Sequence, residues 1–491
     1  MQTGNLTATT VAKLGATLNL QFNGDAEITG VTHDSRSVSS GDLYIAIPGL
    51  AQHGISFIQQ AIENGAVAIA SDQHGCEAAQ ALGLPWILLQ NPRLDMAAIA
   101  AEFYGHPERK LKMIGVTGTN GKTTITQMLR TLLTNAGHKV GVIGTLGSFV
   151  GELEIPSKRT TPESVDLFSL LAQMVSEGAD IVCMEVSSHA LELHRVAGIK
   201  FDVAVFTNLT QDHLDFHGTM DDYFAAKEKL FTDGRCKIAV IDSDDDWGRK
   251  LVSNSDAQQV ITVGKDGDWK ISHISTEISG ATTFELTTPN EHFAVAIPMY
   301  GQFNAKNAAL CLAVCSSLGM APKTVKDSLA QLPQVPGRMQ IVSNHNEVLA
   351  FVDYAHTPDA VEKVLTEILL AKPAKLITVV GCGGDRDPSK RSIMGQIAAQ
   401  LSDVVVITDD NPRSENPAHI RSEVFSGTLG QPAQVIEIGD RREAIAYALS
   451  VATAGDVVAV LGKGHEVGQE VNGVVTDFDD VKVILEVISG A

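Results

Sequence analysis

Positive charge is scarce in this chain of 491 residues: 37 Lys and Arg stand against 58 Asp and Glu, a formal net charge of −21. Such a field repels phosphate backbones and anionic headgroups, so neither a nucleic-acid partner nor a membrane surface is expected. Cysteine is thin as well. The six present (Cys76, Cys183, Cys236, Cys311, Cys315, Cys382) form no CxxC pair and no Cys/His comb at zinc spacing, which points to a reducing compartment. No run approaches the ~20 apolar residues of a bilayer span. The opening MQTGNLTATTVAKLGATLNL has no charged stretch leading into an apolar core, so a cytoplasmic location without membrane insertion is expected. Internal repeats and low-complexity tracts are absent, and no nucleophile elbow marks a serine hydrolase.

What the chain does have is 44% hydrophobic residues with 19% charged, a composition that packs interiors and excludes global disorder. At roughly 150 residues per domain the length predicts three domains. Short apolar runs followed by helical periodicity recur throughout, the rhythm of βα units, and the fold class expected is α/β. Residues 1–105 carry strand candidates ITGVTH, DLYIAIPG, AVAIAS and PWILLQ. A second block, 106–337, opens on KMIGVTGTNGKTT and continues through VGVIGT, DIVCMEVSS, DVAVFTNLT and KIAVIDSDD. Its later stretch, WKISHISTEISGATTFELTT, alternates as an antiparallel meander turning near Gly280. The third block, 338–491, returns to the βα rhythm in KLITVVGCGGDRD, DVVVITDDNPR, QVIEIGDR and DVVAVLGKGHE. Polar and glycine-rich residues follow its strands directly, where open parallel sheets bind ligands.

In TGTNGKTT, an apolar strand enters a glycine turn and then a helix whose Ile125, Met128, Leu129, Leu132 and Leu133 form one stripe. Gly118 and Gly121 let backbone N–H groups of Thr119, Asn120 and their neighbours face a phosphate at the positive helix end. Lys122 supplies charge to that phosphate, and Thr123, beside Thr124, a hydroxyl for Mg²⁺. The strict phosphate-loop pattern fails at one position, where Val116 replaces the first glycine. Glu185 and His213 each follow an apolar strand and suit a divalent cation at a phosphoryl-transfer site. Read one at a time, several of these residues have plainer explanations. Asn304 or Asn307 reads as a helix cap, Lys227 and Lys229 as solvated helix lysines, and DDNPR as a surface Asx-Pro turn.

GTNGKTT, MEVSSHAL, NLTQDHLDFHG, YFAAKEKLF, GQFNAKNAAL, PGRM and VDYAHTPDA occur in this order across most of the chain. Together they resemble the Mur ligases, ATP-dependent peptide synthetases of peptidoglycan assembly. Within that family THDSR, GCGGDRDPSKR, DDNPR and GKGHE are similar to the branch that adds meso-2,6-diaminopimelate to UDP-N-acetylmuramoyl-L-alanyl-D-glutamate. The resemblance implies three domains: a UDP-sugar-binding one, a central ATP-binding P-loop one with a mostly parallel sheet, and a Rossmann-like amino-acid-binding one. It implies an acyl-phosphate on the D-glutamyl γ-carboxylate, attack by the amine, and phosphate loss from a tetrahedral intermediate, in a chain acting as a monomer.

The resemblance further makes Thr123, Glu185 and His213 magnesium-associated and places Asn304, Asn307, Arg338 and Asp353 with the phosphate loop at ATP. It implies a carbamate on Lys227, which turns a cation into an anion suited to Mg²⁺. For the UDP-sugar it indicates Ser35, Leu50, Ala51, Gln52, Thr160, Thr161, Ser187 and Arg195, with departures at Arg159 and Leu193, where some relatives carry Asn and Gln. For diaminopimelate it indicates Arg391, Asp410, Asn411, Pro412, Arg413, Gly462 and Glu466. Arg413 is a planar fork able to grip the carboxylate that diaminopimelate has and lysine lacks. The same reaction with L-lysine, a folylpolyglutamate synthase-like ligase and an ATP-binding module without ligase activity remain the alternatives.

Overall fold

A computed structural model of the chain describes residues 9–49, 52–157, 159–277, 280–345 and 347–490. They gather into two compact units, the first made of the described residues up to 209 with 214–261, the second of residues 210–213 with the described residues from 262 onward. Among the described residues no helix is long and apolar enough to cross a membrane.

The first unit holds two larger sheets beside the short pair Thr9–Thr10 and Glu27–Ile28. The smaller runs in the order Phe22–Asn23, Trp86–Leu88, Ala68–Ser71, Asp42–Ala46, Gly30–Thr32, parallel except at its first pair. In the larger, Val140–Gly144, Ile181–Glu185, Lys112–Thr117, Phe201–Phe206 and Cys236–Asp242 lie side by side and parallel. Strands covered on both faces read as continuous apolar runs, which is why IVCME and VGVIG carry no alternation. The two sheets share a core. The helix Pro92–Phe103 buries Met96, Ile99 and Phe103 in one cluster with Phe168, Leu171 and Met174 of the helix Ser164–Ser176, and Arg93 pairs with Glu163 at 3.3 Å. Beside the parallel strands, the helix Lys122–Asn135 buries its stripe to 1% exposure or less at Ile125, Met128, Leu129, Leu132 and Leu133. Each such side chain contributes roughly 1.5–3 kcal/mol by leaving water.

The second unit contains an antiparallel meander, Trp269–Thr276, Thr282–Thr287 and His292–Ile297, the alternation expected from its sequence. Its six-stranded sheet runs Gln340–His345, Val348–Asp353, Val457–Leu461, Leu376–Val380, Val404–Ile407, Gln434–Glu437, parallel except at the first pair. Successive residues feed opposite faces: Leu349 and Phe351 enter one core, Ala350 and Val352 the other. On the second face Arg441 and Asp480, both fully buried, pair through Nε and Nη2 at 2.7 Å each. The same Nη2 donates to the Leu461 carbonyl at 3.0 Å, just before the GKGHE turn.

Candidate functional site

The phosphate loop is fixed by its own glycines and by the segment after the strand Phe201–Phe206. Gly118 has φ +142° and Gly121, which caps the helix, φ +88°, values that side-chain-bearing residues avoid. A methyl on Gly118 would also collide with Thr207 Oγ1. Thr207 Oγ1 donates to the Asn120 carbonyl at 2.6 Å, Asn208 Oδ1 accepts from the Asn120 amide at 3.1 Å, and the Thr119 amide donates to the Asn208 carbonyl at 2.9 Å. Lys122 Nζ curls back to the carbonyls of Gly118 at 2.9 Å and Thr119 at 2.8 Å. Thr123 and Thr124 are buried in the first helical turn.

Glu185 ends a parallel strand and is 1% exposed. Its carboxylate accepts the Thr145 amide at 2.8 Å and the Thr145 hydroxyl at 3.1 Å. Lys227 is 1% exposed, so the solvated-lysine reading fails for it. The helix Met220–Glu228 buries Tyr223, Phe224, Ala226 and Lys227 on one face, Lys227 following Tyr223 by four positions and Phe224 by three. Lys227 Nζ donates to the Gly118 carbonyl at 3.0 Å and lies 4.4 Å from the centre of the Tyr223 ring. Lys229 keeps the plain reading, partly exposed and paired with Glu192 at 2.6 Å.

Around Glu185 the first unit also assembles Thr160, Thr161, Ser187 and Arg195. Thr161 Oγ1 donates to the Glu185 carbonyl at 2.9 Å and accepts from the Ser187 amide at 3.1 Å, while Thr160 and Thr145 hydroxyls meet at 3.1 Å. Ser187 caps the helix Ser188–Glu192. Arg195, buried, pairs with Glu163 at 2.8 Å, and Arg159 reaches the same carboxylate at 3.3 Å. Leu193 closes that short helix. Ser35, buried in the smaller sheet's region, donates to Gln60 Oε1 at 2.7 Å, and Gln52 is exposed. Leu50 and Ala51 lie outside the described residues.

The second unit carries His213, Asn304, Asn307, Arg338 and Asp353. His213 is half exposed, at φ +53°, with Nδ1 3.4 Å from Asp212. The cap of the helix Gln302–Ser317 is Gly301, and neither asparagine caps it. Asn304 instead donates to the Tyr300 carbonyl at 2.7 Å and accepts from Asn307 at 3.1 Å, both side chains buried. Asp353 accepts the amides of Met339 at 2.6 Å and Ala355 at 2.8 Å, and burial pushes its carboxyl up against the opposing pull of Arg338. The Arg338 guanidinium lies 5.0 Å from the centre of the Tyr354 ring.

DDNPR is no free surface turn, since Asp410 and Asn411 are buried. Asn411 donates to Glu466 at 2.8 Å and accepts from Lys463 at 2.8 Å, and Pro412 is buried beside it. Lys463, fully buried, also lies 3.5 Å from Asp410 and 3.8 Å from Glu466; burial lowers its pKa while those carboxylates raise it. Gly462, at φ +114°, donates to the Asp353 carbonyl at 3.1 Å. Arg413 Nη1 donates to the Gly384 carbonyl at 2.7 Å. Arg391 is 1% exposed and already divided between Glu415 at 2.8 Å and Glu423 at 2.6 Å, which hold its pKa up.

Comparison with known proteins matches residues 27–104 to the Mur ligase family catalytic domain, 116–315 to the Mur ligase middle domain and 337–464 to the Mur ligase glutamate ligase domain. A UDP-N-acetylmuramoyl-L-alanyl-D-glutamate–2,6-diaminopimelate ligase of Streptomyces coelicolor is 43% identical over 494 residues, covering 98% of this chain and 97% of that protein. The chain belongs to the Mur ligase family. A solved structure of a ligase of the same description superposes on this Mur ligase with TM-score 0.68 at 34% identity, covering 94% of this chain and 95% of that one. A Mycobacterium tuberculosis folylpolyglutamate synthase complexed with ADP shares the fold at TM-score 0.63 and 20% identity over 76% of this chain and 92% of its own.

Several residues that organise this Mur ligase's site escaped the sequence reading. Thr145, Glu163, Tyr354, Lys463, Glu415 and Glu423 bind the side chains that the motifs named. Lys463 sits inside GKGHE and Thr145 at the end of VGVIGT, so position after a strand was the available signal for both. Glu415, in the bend before the helix Pro417–Thr428, and Glu423, within that helix, carry none.

Proposed function

We propose that this Mur ligase uses ATP to join meso-2,6-diaminopimelate to the D-glutamyl γ-carboxylate of UDP-N-acetylmuramoyl-L-alanyl-D-glutamate, in cytoplasmic peptidoglycan precursor synthesis. The observation that carries the reading is Arg413, in the loop after the strand Val404–Ile407, with Nη1 on the Gly384 carbonyl and the side chain partly exposed, a guanidinium fork offered to a carboxylate. Glu466, tied to Asn411, suits the substrate's ammonium. A free carboxylate is a poor electrophile, so the γ-carboxylate first takes the γ-phosphoryl group. The amine then attacks the acyl carbon, and phosphate leaves from a tetrahedral intermediate. Positioning and charge neutralisation dominate such a transfer, which suits backbone amides at a helix start and the Lys122 ammonium.

In this reading residues 1–105, 106–337 and 338–491 serve the UDP-sugar, ATP and the amino acid respectively. Gly118, Thr119, Asn120, Gly121, Lys122, Thr123 and Thr124, with Asn304, Asn307, Arg338 and Asp353, bind ATP. Ser35, Leu50, Ala51, Gln52, Thr160, Thr161, Ser187 and Arg195 bind the UDP-sugar. Arg391 acts through its glutamates to shape the amino-acid loop. Magnesium falls to Thr123, Glu185, His213 and Lys227 as a carbamate. Hydroxyl and carboxylate oxygens fit this hard cation, which with nucleotides takes one or two carboxylates alongside phosphate oxygens. Accordingly no cluster of three His, Cys, Asp or Glu side chains is needed, and none stands among the described residues. When bound, the ion neutralises charge on the phosphoryl oxygens.

The deciding experiment measures phosphate release from Mg-ATP with the UDP-muramoyl dipeptide, comparing meso-diaminopimelate with L-lysine and identifying the product by mass. Turnover with diaminopimelate alone is the expected result. Turnover with lysine overturns the reading of Arg413, and turnover with neither shifts the assignment to another ligase or a nucleotide-binding module.

A further inference from the structure

We propose that Glu470 is the counter-ion occupying Arg413 before the amino acid arrives, and that the substrate's distal carboxylate binds by displacing it. The inference rests on the role of Arg413 proposed above and adds a residue that reads the substrate by competing with it.

Glu470 belongs to the small hairpin Gly468–Val471 and Val474–Asp477, which grips the DDNPR loop through its main chain. The Arg413 amide donates to the Glu470 carbonyl at 3.0 Å and the Asn472 amide to the Arg413 carbonyl at 2.7 Å, so Arg413 pairs with Val471 as an added bridge. One residue pair back, the Glu470 amide donates to Asn411 Oδ1 at 3.0 Å, and Gln469 Nε2 donates to the Asp410 carbonyl at 2.7 Å. Arg413 itself is held at φ +51°, a conformation that only surrounding contacts sustain in a residue of this kind. The hairpin therefore fixes both the arginine backbone and the root of the glutamate beside it.

The side chains meet more loosely. Arg413 Nε lies 3.5 Å from Glu470 Oε2, a one-point contact well beyond the 2.7–2.9 Å of a charge-assisted hydrogen bond. Both groups are reachable, at 23% and 39% side-chain exposure. A substrate carboxylate can offer two oxygens to the guanidinium fork, a better geometry than the resident contact, so exchange runs toward the substrate. The exchange still costs the resident contact and sets two carboxylates near one arginine. Lysine ends in an ammonium, which Arg413 repels and which cannot take the glutamate's place. Arg413 thus favours a side chain bringing its own carboxylate, while Glu470 lowers the affinity which that carboxylate would otherwise have.

The test is steady-state kinetics of the full chain and of Glu470→Gln and Glu470→Ala, varying meso-diaminopimelate at low salt with ATP and the UDP-dipeptide saturating. With the competitor gone, KM for diaminopimelate is expected to fall about two- to fivefold, the range of one exposed ion pair. The effect is confined to that KM, leaves the KM for ATP in place, and shrinks as salt rises. Glutamine keeps the shape of the side chain, so a merely structural role would leave this KM unmoved in that variant. An unchanged or raised KM in both variants overturns the proposal, a rise marking Glu470 as a partner of the substrate's ammonium instead. If the parent fails to turn over diaminopimelate at all, the functional reading beneath the proposal falls with it. If the parent turns it over and only the KM change is missing, the reading stands and this inference alone is lost.

Discussion

At the scale of single residues, the proposed function makes a distinct prediction at each of two side chains. Lys227 is a buried amine with the Gly118 carbonyl at 3.0 Å, at the start of the phosphate loop. Lys227→Ala is expected to abolish product formation, and short-chain carboxylic acids added to the assay are expected to restore part of it by returning an anion. A fully active Lys227→Ala protein would dispose of the carbamate. Arg413→Ala removes the fork and leaves Asn411 and Glu466 in place. Diaminopimelate use should weaken roughly 10–150-fold in kcat/KM, the range for losing a charged hydrogen bond of about 1.5–3 kcal/mol, while nucleotide binding followed by titration is largely retained. Equal kcat/KM for variant and parent would remove the specificity argument. Taken alone, DDNPR reads as a surface Asx-Pro turn, and what made Arg413 visible was its place after the apolar strand DVVVIT together with the family resemblance. The motifs could not show Lys227 to be buried, because YFAAKEKLF places two lysines two positions apart and only packing separates Lys227 from Lys229. Arg391 was legible as a cation and illegible in its pairing, since Glu415 and Glu423 arrive from a later helix region.

At the scale of elements, legibility follows burial. Strands covered on both faces announced themselves as apolar runs, and the meander announced itself by alternation, because in each case one physical period decides the pattern. The helix Gln302–Ser317 was harder. It is buried nearly all round, so no stripe marks its start, and its cap is a glycine whose amide donates to Thr282 Oγ1 at 3.1 Å. The turn between the strand Lys112–Thr117 and its helix gives the element-scale prediction. Gly118→Ala adds a methyl against Thr207 Oγ1 at a φ that alanine resists, so the loop must open. Stability should fall by about 1–3 kcal/mol, the cost of a sparsely populated backbone state, with a larger loss of ATP affinity than of thermal stability. Calorimetry for binding and a melting curve for stability measure both. A variant binding ATP as the parent does would show that the turn's shape is not what holds the nucleotide.

At the scale of the whole molecule, the helix Pro92–Phe103 shares one core with the helix Ser164–Ser176, and both fall in the same one of two compact units. Composition and rhythm count segments; they do not say which cores fuse. Stability against pH is also a property of this scale. Burial, with Arg338 nearby, pushes His465 from 6.5 down to about 4, and burial lowers His194 in the same direction. At His465 the unfolded chain therefore takes up a proton near pH 6.5 that the folded chain refuses until about pH 4, so this group stabilises above pH 6.5 and its contribution drains away between those values, and His194 acts in the same direction. The melting temperature should drop from pH 7 to pH 5, by roughly 2–4 °C for each kcal/mol lost, and His465→Asn should flatten the slope. A His465→Asn curve parallel to the parent's would assign the acid sensitivity elsewhere.

The buried Arg441–Asp480 pair has a consequence for how this chain would respond to trimming. Asp480 opens the helix Asp480–Ser489, while Arg441 also holds the carbonyl of Leu461, one residue before Gly462 and two before Lys463. Removing that helix strands a cation beneath the GKGHE turn, a defect of the kind that costs about 3–5 kcal/mol. A deletion series would consequently report failed amino-acid use from residues almost seventy positions downstream of Arg413, and would counterfeit the signature of a separate binding site where the chain has only a distant brace.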